Sequence, residues 1–268
     1  MEVGNTAFHE CSSLPLLVDS SKMQQIWVPT SDWIEVDSQD HESQFQTQEE
    51  SFSHPTSYDE NFELIVHENL TLYMTQAQEA FHGVTSDETG SVIWGAAVGL
   101  ARYLTPAMVQ GKRVLELGCG GGAPSLVACH YGAKRVVATD FGPCALSRMY
   151  QHAMRNDCPG IDVYYMDWEN LPNDFDSYIS DVILAADVIY GNINVNAFVN
   201  AVDLYLAPGG TVYFSSRDER QGVKELLQLM TQSGFVEAER IAYRGDDNQS
   251  RWRGGHTIYV YERMPLKW

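Results

Sequence analysis

Residues 115–122 are Leu-Glu-Leu-Gly-Cys-Gly-Gly-Gly, and this stretch decides the fold. The apolar residues of 114–117 predict a buried strand. Pro124 falls in the first turn of the apolar segment 124–131, which predicts a helix that begins directly after the glycines. Glycine lets the backbone turn tightly and approach a ligand closely. A strand, a glycine-rich turn and a helix in this order therefore predict a ligand-binding loop at the carboxyl end of a parallel strand.

Beyond this loop, short apolar segments alternate with segments of helical periodicity. The pattern predicts an α/β fold with a doubly wound, mostly parallel seven-stranded Rossmann-like sheet. The last two strands have no helical pattern between them, so we expect an antiparallel C-terminal pair. Alternating apolar residues in 62–66 and 70–74 predict a short N-terminal hairpin. The expected strands are 114–117, 136–139, 161–166, 182–186, 211–215, 235–243 and 257–261, and the expected helices are 91–104, 124–131, 143–156, 194–206 and 221–233.

Acidic residues are concentrated at the start of the chain. The protein has 268 residues and a formal net charge of −19, and residues 1–60 contain twelve Asp or Glu but one Lys. Residues 35–60 are rich in Ser and Gln and poor in apolar side chains, so they cannot bury enough surface to offset their chain entropy. We therefore expect an acidic, largely disordered extension at 1–60 and a folded domain at 61–268.

Composition also argues against several classes of protein. A strongly negative chain repels nucleic-acid phosphates and anionic lipids, and no basic stripe is present. No apolar run is long enough to span a membrane, and the N-terminus lacks the features of a signal peptide. We therefore expect no nucleic-acid or membrane partner and a cytoplasmic (or also nuclear) location. The five cysteines form no close pairs, so we expect reduced thiols and no metal site.

The glycine loop by itself leaves its ligand open. Gly118, Gly120 and Ala123 satisfy the dehydrogenase fingerprint G-x-G-x-x-A, and Asp140 lies about twenty residues on, where a ribose-binding acid is expected. With Gly122, these residues fit either a nicotinamide dinucleotide or S-adenosylmethionine. A glycine-rich turn that binds nothing is the alternative.

Residues that follow the other strands favour S-adenosylmethionine. Glu116 precedes the first glycine by two positions, where methyltransferases often keep an acid near the methionyl ammonium. A carboxylate held by neighbouring backbone donors is the alternative. Asp167 can accept from the adenine amino group and Trp168 can pack on the adenine ring; the alternative is a helix cap beside a core Trp.

The segment after the expected fourth strand points to the reactive end of the cofactor. Sheets of this class bind ligands beyond the carboxyl ends of their strands. Asp187 and Tyr190 should therefore lie beside the group that is transferred, with Ala186 against the cofactor. A simple strand end is the alternative.

These motifs together resemble a known family. The run Val114–Asn156, then Trp168 and Asp181–Tyr190, resembles the seven-stranded class I methyltransferases, and within them the methyltransferase-like protein lysine methyltransferases. That family has a Trp-containing helix before the first strand, here Ser91-Val-Ile-Trp94, and an Asp-x-x-Tyr segment on the fourth strand. The resemblance covers about residues 61–268. It implies that Asp187 and Tyr190 lie at the acceptor site and that Trp94 lines the cofactor pocket.

A finer similarity concerns two short segments. Ala123-Pro-Ser-Leu126 and Ala138-Thr-Asp140 are similar to a fungal branch named after nicotinamide N-methyltransferases, which includes methyltransferases of translation elongation factors. The Gly-Gly-Ala-Pro segment departs from the Gly-Leu pair of many relatives, which leaves the subfamily open.

The resemblance implies an S-adenosylmethionine-dependent enzyme that methylates a lysine or N-terminal amine of a protein such as a translation factor. We expect a monomer with a basic protein substrate, because an acidic surface attracts basic partners. Three alternatives stay open: a small-molecule N-methyltransferase, a non-catalytic binding protein that retains the fold, and an enzyme with another acceptor or a nicotinamide cofactor.

Overall fold

The computed structural model describes residues 17–19, 24–26, 59–77, 86–172, 177–217, 219–244 and 255–264. The first elements are strands β1 (Leu17–Asp19), β2 (Gln24–Ile26), β3 (Asp59–His67) and β4 (Leu70–Ala77), and the 3-10 helix Ser86–Ser91. The remaining elements are α1 (Gly95–Tyr103), α2 (Pro106–Val109), β5 (Arg113–Leu117), α3 (Ala123–His130), β6 (Arg135–Asp140), α4 (Pro143–Arg155), β7 (Ile161–Tyr165), β8 (Ser180–Ala186), α5 (Val195–Tyr205), β9 (Leu206–Ser216), α6 (Val223–Gln232), β10 (Phe235–Tyr243) and β11 (His256–Arg263).

One sheet forms the centre of the domain, in the order β1-β2-β7-β6-β5-β8-β9-β11-β10. Strands β5 to β9 are parallel, and β11 runs antiparallel to both β9 and β10. Strands β3 and β4 form a separate antiparallel hairpin. The predicted doubly wound sheet, its antiparallel C-terminal pair and the N-terminal hairpin are therefore confirmed. The chain first builds the sheet outward from β5 to β7 and then resumes at β8 on the other side of β5, so a crevice opens at the carboxyl end of β5.

Both faces of the sheet are covered, which explains the nearly continuous apolar composition of its central strands. Along β5, Val114 packs into the core cluster that contains α1, α3 and α4, whereas Leu115 and Leu117 pack into the cluster that contains α5 and α6. All three side chains are fully buried. Successive side chains of a strand point to opposite faces, so this alternation places Glu116 on the α1 and α3 side.

The β3–β4 hairpin packs on the domain through apolar side chains and is hydrogen-bonded to the end of α4. Leu64, Leu72 and Met74 are fully buried in the same core cluster as α1, α3 and α4. Beyond the last turn of α4, the side-chain oxygen of Asn156 accepts from the Tyr73 amide at 2.7 Å, and its amide donates to the Tyr73 carbonyl at 2.9 Å. One amide side chain thus satisfies two backbone groups on the edge of β4, which fixes the hairpin against the helix.

Two element boundaries differ from the predictions. The helix expected at 91–104 begins only at Gly95, because Trp94 is extended (φ −83°, ψ 148°) and its indole N–H donates to the Thr89 carbonyl at 3.0 Å. Strand β9 begins at Leu206, five residues before the expected start. Leu206 pairs with Ser180 ahead of an irregularity in the register, so the strand extends across its Pro-Gly-Gly segment.

The structure describes only a few of the first sixty residues. Ile26 of β2 pairs antiparallel with Tyr164 of β7, so part of the N-terminal segment contacts the sheet. The division at residue 60 stays a prediction, since most of residues 1–58 lie outside the described ranges.

Cys119, Cys129 and Cys158 are free thiols. Cys144 is disulfide-bonded, which corrects the expectation of reduced thiols at that position, because spacing does not reveal which cysteines the fold brings together.

Neither a helix that could span a membrane nor a metal cluster occurs in the part of the chain that the structure describes. No helix there is long and apolar enough to cross a bilayer. Within the same ranges, no three His, Cys, Asp or Glu side chains are grouped closely enough to hold a metal ion.

Candidate functional site

The glycine loop between β5 and α3 has a backbone that only glycine adopts readily. Gly118, Gly120 and Gly122 have φ values of 72°, 49° and 74°, in the left-handed region. At Gly118 there is also no room for a side chain, since an added Cβ would lie 2.7 Å from Cγ1 of Val188. The loop therefore combines left-handed backbone with close packing against the segment that follows β8.

Glu116 is a buried carboxyl group that links the loop to α3. It is 1% exposed, and its Oε2 accepts from both the backbone amide and the hydroxyl of Ser125, the amide at 3.0 Å. Gly122 caps α3 without a side chain, so Glu116 satisfies an amide of the first turn from the neighbouring strand. Burial raises the pKa of Glu116 to about 8, although the two bonds from Ser125 act in the opposite direction. The backbone-held alternative is thus realised, and the carboxyl group also lines a cavity.

That cavity lies at the crevice between β5 and β8. It is lined by the glycine loop at 118–122 together with Trp94, Glu116 and Ala186. These residues come from three separate parts of the sequence, and Trp94, Glu116, Ala186 and the glycines at 118, 120 and 122 are predicted cofactor residues. Val92, Ile93 and Ala97, which also line the cavity, have no predicted role. The structure brings them together around one space.

Asp140 and Trp168 do not line this cavity but contact the glycine loop beside it. Asp140 accepts from the Gly120 amide at 2.8 Å and from the Gly142 amide at 2.9 Å, so it holds the loop and the start of α4 together. Burial raises the pKa of Asp140. Trp168 packs edge-on against Phe198, with ring centroids 5.0 Å apart, and one of its ring carbons lies 3.6 Å from the position of a Gly118 Cβ.

Asp167 uses its carboxylate within its own turn rather than toward the glycine loop. Its Oδ1 accepts from the Glu169 amide at 2.9 Å, and its Oδ2 accepts from the Asn170 side chain at 2.7 Å. These bonds close a local turn. The expected helix cap is not formed, because no helix follows within the described residues 168–172.

Asp187 is the first residue after β8 and has a strained backbone. Its φ is 56°, which is uncommon for a residue with a side chain. The Asp187 amide donates to the Ser215 carbonyl at 2.7 Å, which ties this conformation to β9. A strained residue at the carboxyl end of a central strand is typical of functional sites.

The Asp187 carboxylate is paired with a cation that the sequence did not reveal. Arg220 donates Nε to Oδ1 at 3.0 Å and Nη2 to Oδ2 at 2.7 Å. The Asp187 side chain is 3% exposed and the Arg220 side chain 29%. The Arg220 guanidinium also lies over the Trp94 ring, 5.6 Å from its centroid. The two partners are 33 residues apart in the chain, so no local motif predicts the pair.

Thr89 joins Trp94 to Tyr190. The Thr89 carbonyl accepts from the Trp94 indole at 3.0 Å, and its hydroxyl is 3.0 Å from the Tyr190 hydroxyl. Asp187, Tyr190 and Trp94 therefore belong to one group of contacts, which we call the acceptor cluster: Thr89, Trp94, Asp187, Tyr190 and Arg220. It adjoins the cavity through Trp94.

His152 was also missed, and it supports the glycine loop from α4. It is fully buried; its Nε2 accepts from the Thr75 amide at 2.9 Å, so Nδ1 carries the proton and donates to the Gly121 carbonyl at 2.8 Å. Burial, aided by Arg148 and Arg155, lowers the pKa of His152 to about 4. Its position on the apolar face of α4, three residues after Met149, was the available sequence signal.

Comparison with known proteins agrees with this geometry. Residues 75–233, more than half of the chain, match the model of a family described as lysine methyltransferase. A protein N-lysine methyltransferase of Danio rerio, METTL21A, is 33% identical over 177 residues, which cover 60% of this chain and 78% of that protein. The protein N-terminal and lysine N-methyltransferase efm7 of Schizosaccharomyces pombe is 27% identical over 166 residues, covering 56% of this chain and 65% of that protein.

The matched lengths and the solved structures set the scope of this similarity. The chain spans 44% to 65% of the length of the fission yeast protein and three other curated relatives. Among solved structures, the N-methyltransferase NodS of Bradyrhizobium japonicum, in complex with S-adenosyl-L-homocysteine, superposes with a TM-score of 0.51 at 22% identity. That alignment covers 67% of this chain and 93% of NodS, and it establishes the fold alone.

Proposed function

Because the chain belongs to the lysine methyltransferase family, we propose that it transfers a methyl group from S-adenosylmethionine to a lysine side chain, or an N-terminal amine, of a protein. One observation carries the proposal. The glycine loop, Glu116 and Trp94 surround one cavity at the crevice of the sheet, and Trp94 also belongs to the acceptor cluster. This arrangement supports a cofactor site that adjoins a site for a cationic acceptor.

The residues of the cavity fit S-adenosylmethionine in their chemistry. Glu116 is buried and its pKa is raised, so a nearby ammonium group would favour its charged form. Asp140 accepts from the backbone amides of Gly120 and Gly142 and also from that of Phe141. A carboxylate has about four acceptor positions, so one is left for a ribose hydroxyl. We infer that Trp94, Ala186 and the glycines at 118, 120 and 122 hold the methionyl part. When bound, S-adenosylmethionine supplies a methyl group on a positively charged sulfur.

Asp167 and Trp168 are proposed to hold the adenine end. Trp168 lies beside Gly118, so its ring is available as a flat apolar wall. Asp167 already accepts from Glu169 and Asn170, and only its remaining lone pairs are open to an amino group. We therefore expect Trp168 to contribute more to adenine binding than Asp167.

The acceptor amine must be neutral and correctly aimed when it attacks. A free lysine has a pKa near 10.4, so it must lose a proton before the transfer. No general base is assigned, since loss of the proton to water before the attack fits the site equally well. Asp187 would attract the ammonium and then orient the neutral amine by a hydrogen bond. Tyr190, whose hydroxyl is held by Thr89, would form the wall of the channel and add a cation–π contact. Positioning the amine in line with the leaving sulfur then contributes much of the rate.

The partner is proposed to be a basic protein such as a translation factor. A net charge of −19 favours encounter with basic surfaces, and the relatives in fission yeast and zebrafish are named as protein methyltransferases. The monomeric state, the cytoplasmic or nuclear location and the lack of nucleic-acid or membrane partners stay predictions.

Transfer of label in a cell lysate tests this function. The protein is incubated with S-adenosylmethionine labelled in its methyl group, and the lysate is separated into protein and small-molecule fractions. We expect label in one or a few discrete protein bands. Label confined to the small-molecule fraction would instead support an N-methyltransferase of small amines.

A binding measurement tests the non-catalytic alternative. We expect S-adenosylhomocysteine to bind with measurable heat in a calorimetric titration and the same preparation to transfer label. Binding without any transfer would favour a protein that retains the fold for recognition alone.

A further inference from the structure

The acceptor cluster contains its own cation in the position that a substrate cation needs. We propose that Arg220 occupies the acceptor-cation site in the free protein and must leave it before a substrate amine can enter, so that Arg220 sets which amines are accepted. This inference rests on the proposed function, because it concerns the same site. It differs from a permanent ion pair, in which Arg220 would stay beside Asp187 throughout the reaction.

The contacts of Arg220 are those expected of a bound cationic substrate. Its guanidinium makes two hydrogen bonds to the carboxylate of Asp187, at 3.0 and 2.7 Å. Its third neighbour is the face of Trp94, at 5.6 Å. A carboxylate and an aromatic face together form a favourable site for any side-chain cation. A lysine ammonium that reached Asp187 would require the same carboxylate oxygens.

Burial indicates which partner of the pair can leave. Asp187 is 3% exposed and is fixed by the bond from its amide to Ser215, whereas the side chain of Arg220 is 29% exposed. Arg220 lies in a turn before α6, where its amide donates to the Arg217 carbonyl at 3.1 Å. The guanidinium can therefore move toward solvent, while the carboxylate is buried on a backbone that is bonded to β9.

Competition with Arg220 would make the enzyme selective. An arginine fork binds a carboxylate through two bonds, whereas an ammonium is a point charge on a flexible stem. A free amine would therefore displace Arg220 poorly. A protein substrate would succeed when its other contacts compensate for the lost pair. In this way an internal arginine excludes small amines and favours lysines presented by a docked protein.

The test uses the full chain and three variants: R220A, R217A and the double variant D187N/R220A. R217A is the matched control, because Arg217 is an exposed arginine of the same loop. Two probes stand in for the cations: ethylguanidinium for the side chain of Arg220 and n-butylammonium for that of lysine. Calorimetry in the presence of S-adenosylhomocysteine measures their binding, and label transfer to lysate protein measures activity.

We expect both probes to bind R220A at least about tenfold more tightly than the wild type. R217A should bind like the wild type, and D187N/R220A should lose the gain. Ethylguanidinium should inhibit transfer by R220A while the wild type and R217A are unchanged. If ethylguanidinium restores the activity of R220A, or if R220A binds neither probe better, Arg220 is a fixed part of the site and the proposal is wrong.

Two outcomes need a separate measurement: an unfolded R220A variant and a wild type that labels no protein. R220Q, which preserves a polar side chain without charge, replaces R220A if circular dichroism shows that R220A is unfolded. If the wild type labels no protein at all, the proposed function fails, yet the calorimetric comparison still decides whether Arg220 occupies a cation site.

Discussion

Two buried ionisable groups lie on either side of the glycine loop, and each has a pKa shifted by burial. Glu116 is raised to about 8 and His152 is lowered to about 4. Both shifts favour the neutral form, since both groups are removed from water. In the free protein both side chains are therefore mainly neutral at pH 7, and a charged ligand that enters can change their protonation.

Ligand binding should release a proton from Glu116. At pH 7 the free carboxyl is largely protonated, because its pKa is about 8. The ammonium of S-adenosylhomocysteine would lower that pKa, so binding should release up to about one proton. Calorimetric titrations in two buffers of different ionisation enthalpy measure the release. Glu116→Gln serves as the control and should show none; a wild-type enthalpy that is independent of the buffer would contradict the assignment.

Acid should destabilise the protein through His152. The unfolded residue takes up a proton near pH 6.5, whereas the folded residue resists it until about pH 4. The stabilisation is therefore complete above pH 6.5 and is lost as the pH falls from 6.5 to 4, at a cost of up to about 3 kcal/mol. Denaturant unfolding at several pH values measures this. His152→Gln should flatten the profile and His130→Gln, at an exposed position of α3, should not; equal profiles for all three proteins would refute the prediction.

At the scale of the element, the glycine loop offers a matched pair of substitutions. Gly118 and Gly111 have almost the same backbone, with φ values of 72° and 71°. An added Cβ would lie 2.7 Å from Val188 at Gly118 but would have no neighbour within 4 Å at Gly111. Both alanine variants carry the same backbone strain, of about 1 to 2 kcal/mol.

Only the variant at the loop should lose ligand affinity. We expect Gly118→Ala to weaken binding of S-adenosylhomocysteine at least about tenfold, because the loop must shift away from Val188. Gly111→Ala should bind like the wild type despite a similar loss from strain. Calorimetry and thermal melting provide the two readouts; equal affinities in both variants would show that the loop is not the binding site.

The elements that sequence predicted well are those whose physics is local. The glycine loop, β5 and α3 follow from apolar runs, glycine and proline within about fifteen neighbouring residues. The start of α1 was missed because Trp94 is held extended by a bond to Thr89. The early start of β9 was missed because it depends on pairing with Ser180. Contacts between distant residues set these boundaries, and the hydrophobic periodicity of the sequence does not indicate such contacts.

The candidate site also contains residues that the sequence predicted and partners that it did not. Trp94, Glu116 and the glycines were predicted, and they line one cavity. The partners that define their chemistry were not: Arg220 is 33 residues from Asp187, and His152 is 77 residues from Thr75. Sequence motifs thus indicated which groups are present. The charge state and the pairing of those groups could be read only from the folded structure.

At the scale of the whole molecule, charge should govern the encounter with the substrate. The chain carries a net charge of −19, and attraction to a basic partner is screened by salt over about 8 to 10 Å at physiological ionic strength. We expect kcat/KM for the protein acceptor to fall steeply with added sodium chloride, mainly through KM. Affinity for S-adenosylhomocysteine should change little and serves as the control. A salt-independent kcat/KM would argue against a basic partner.

Asp187 belongs to the acceptor cluster and is not among the residues that line the cavity, so its loss should affect transfer more than binding of the cofactor. Asp187→Ala should abolish transfer while S-adenosylhomocysteine binds within about threefold of the wild-type affinity. Asp187→Asn is the companion variant, because it retains the shape of the side chain beside Arg220. Intact turnover in both variants would remove Asp187 from the reaction.

The identity of the methylated residue is the most direct test of amine methylation by this protein. Protein from the labelled bands is digested and sequenced by mass spectrometry after reaction with S-adenosylmethionine that carries a heavy methyl group. We expect heavy methyl groups on a lysine side chain or an N-terminal amine, present with the wild type and absent with Asp187→Ala. Heavy methyl groups on any other residue type, or on small molecules alone, would contradict this expectation.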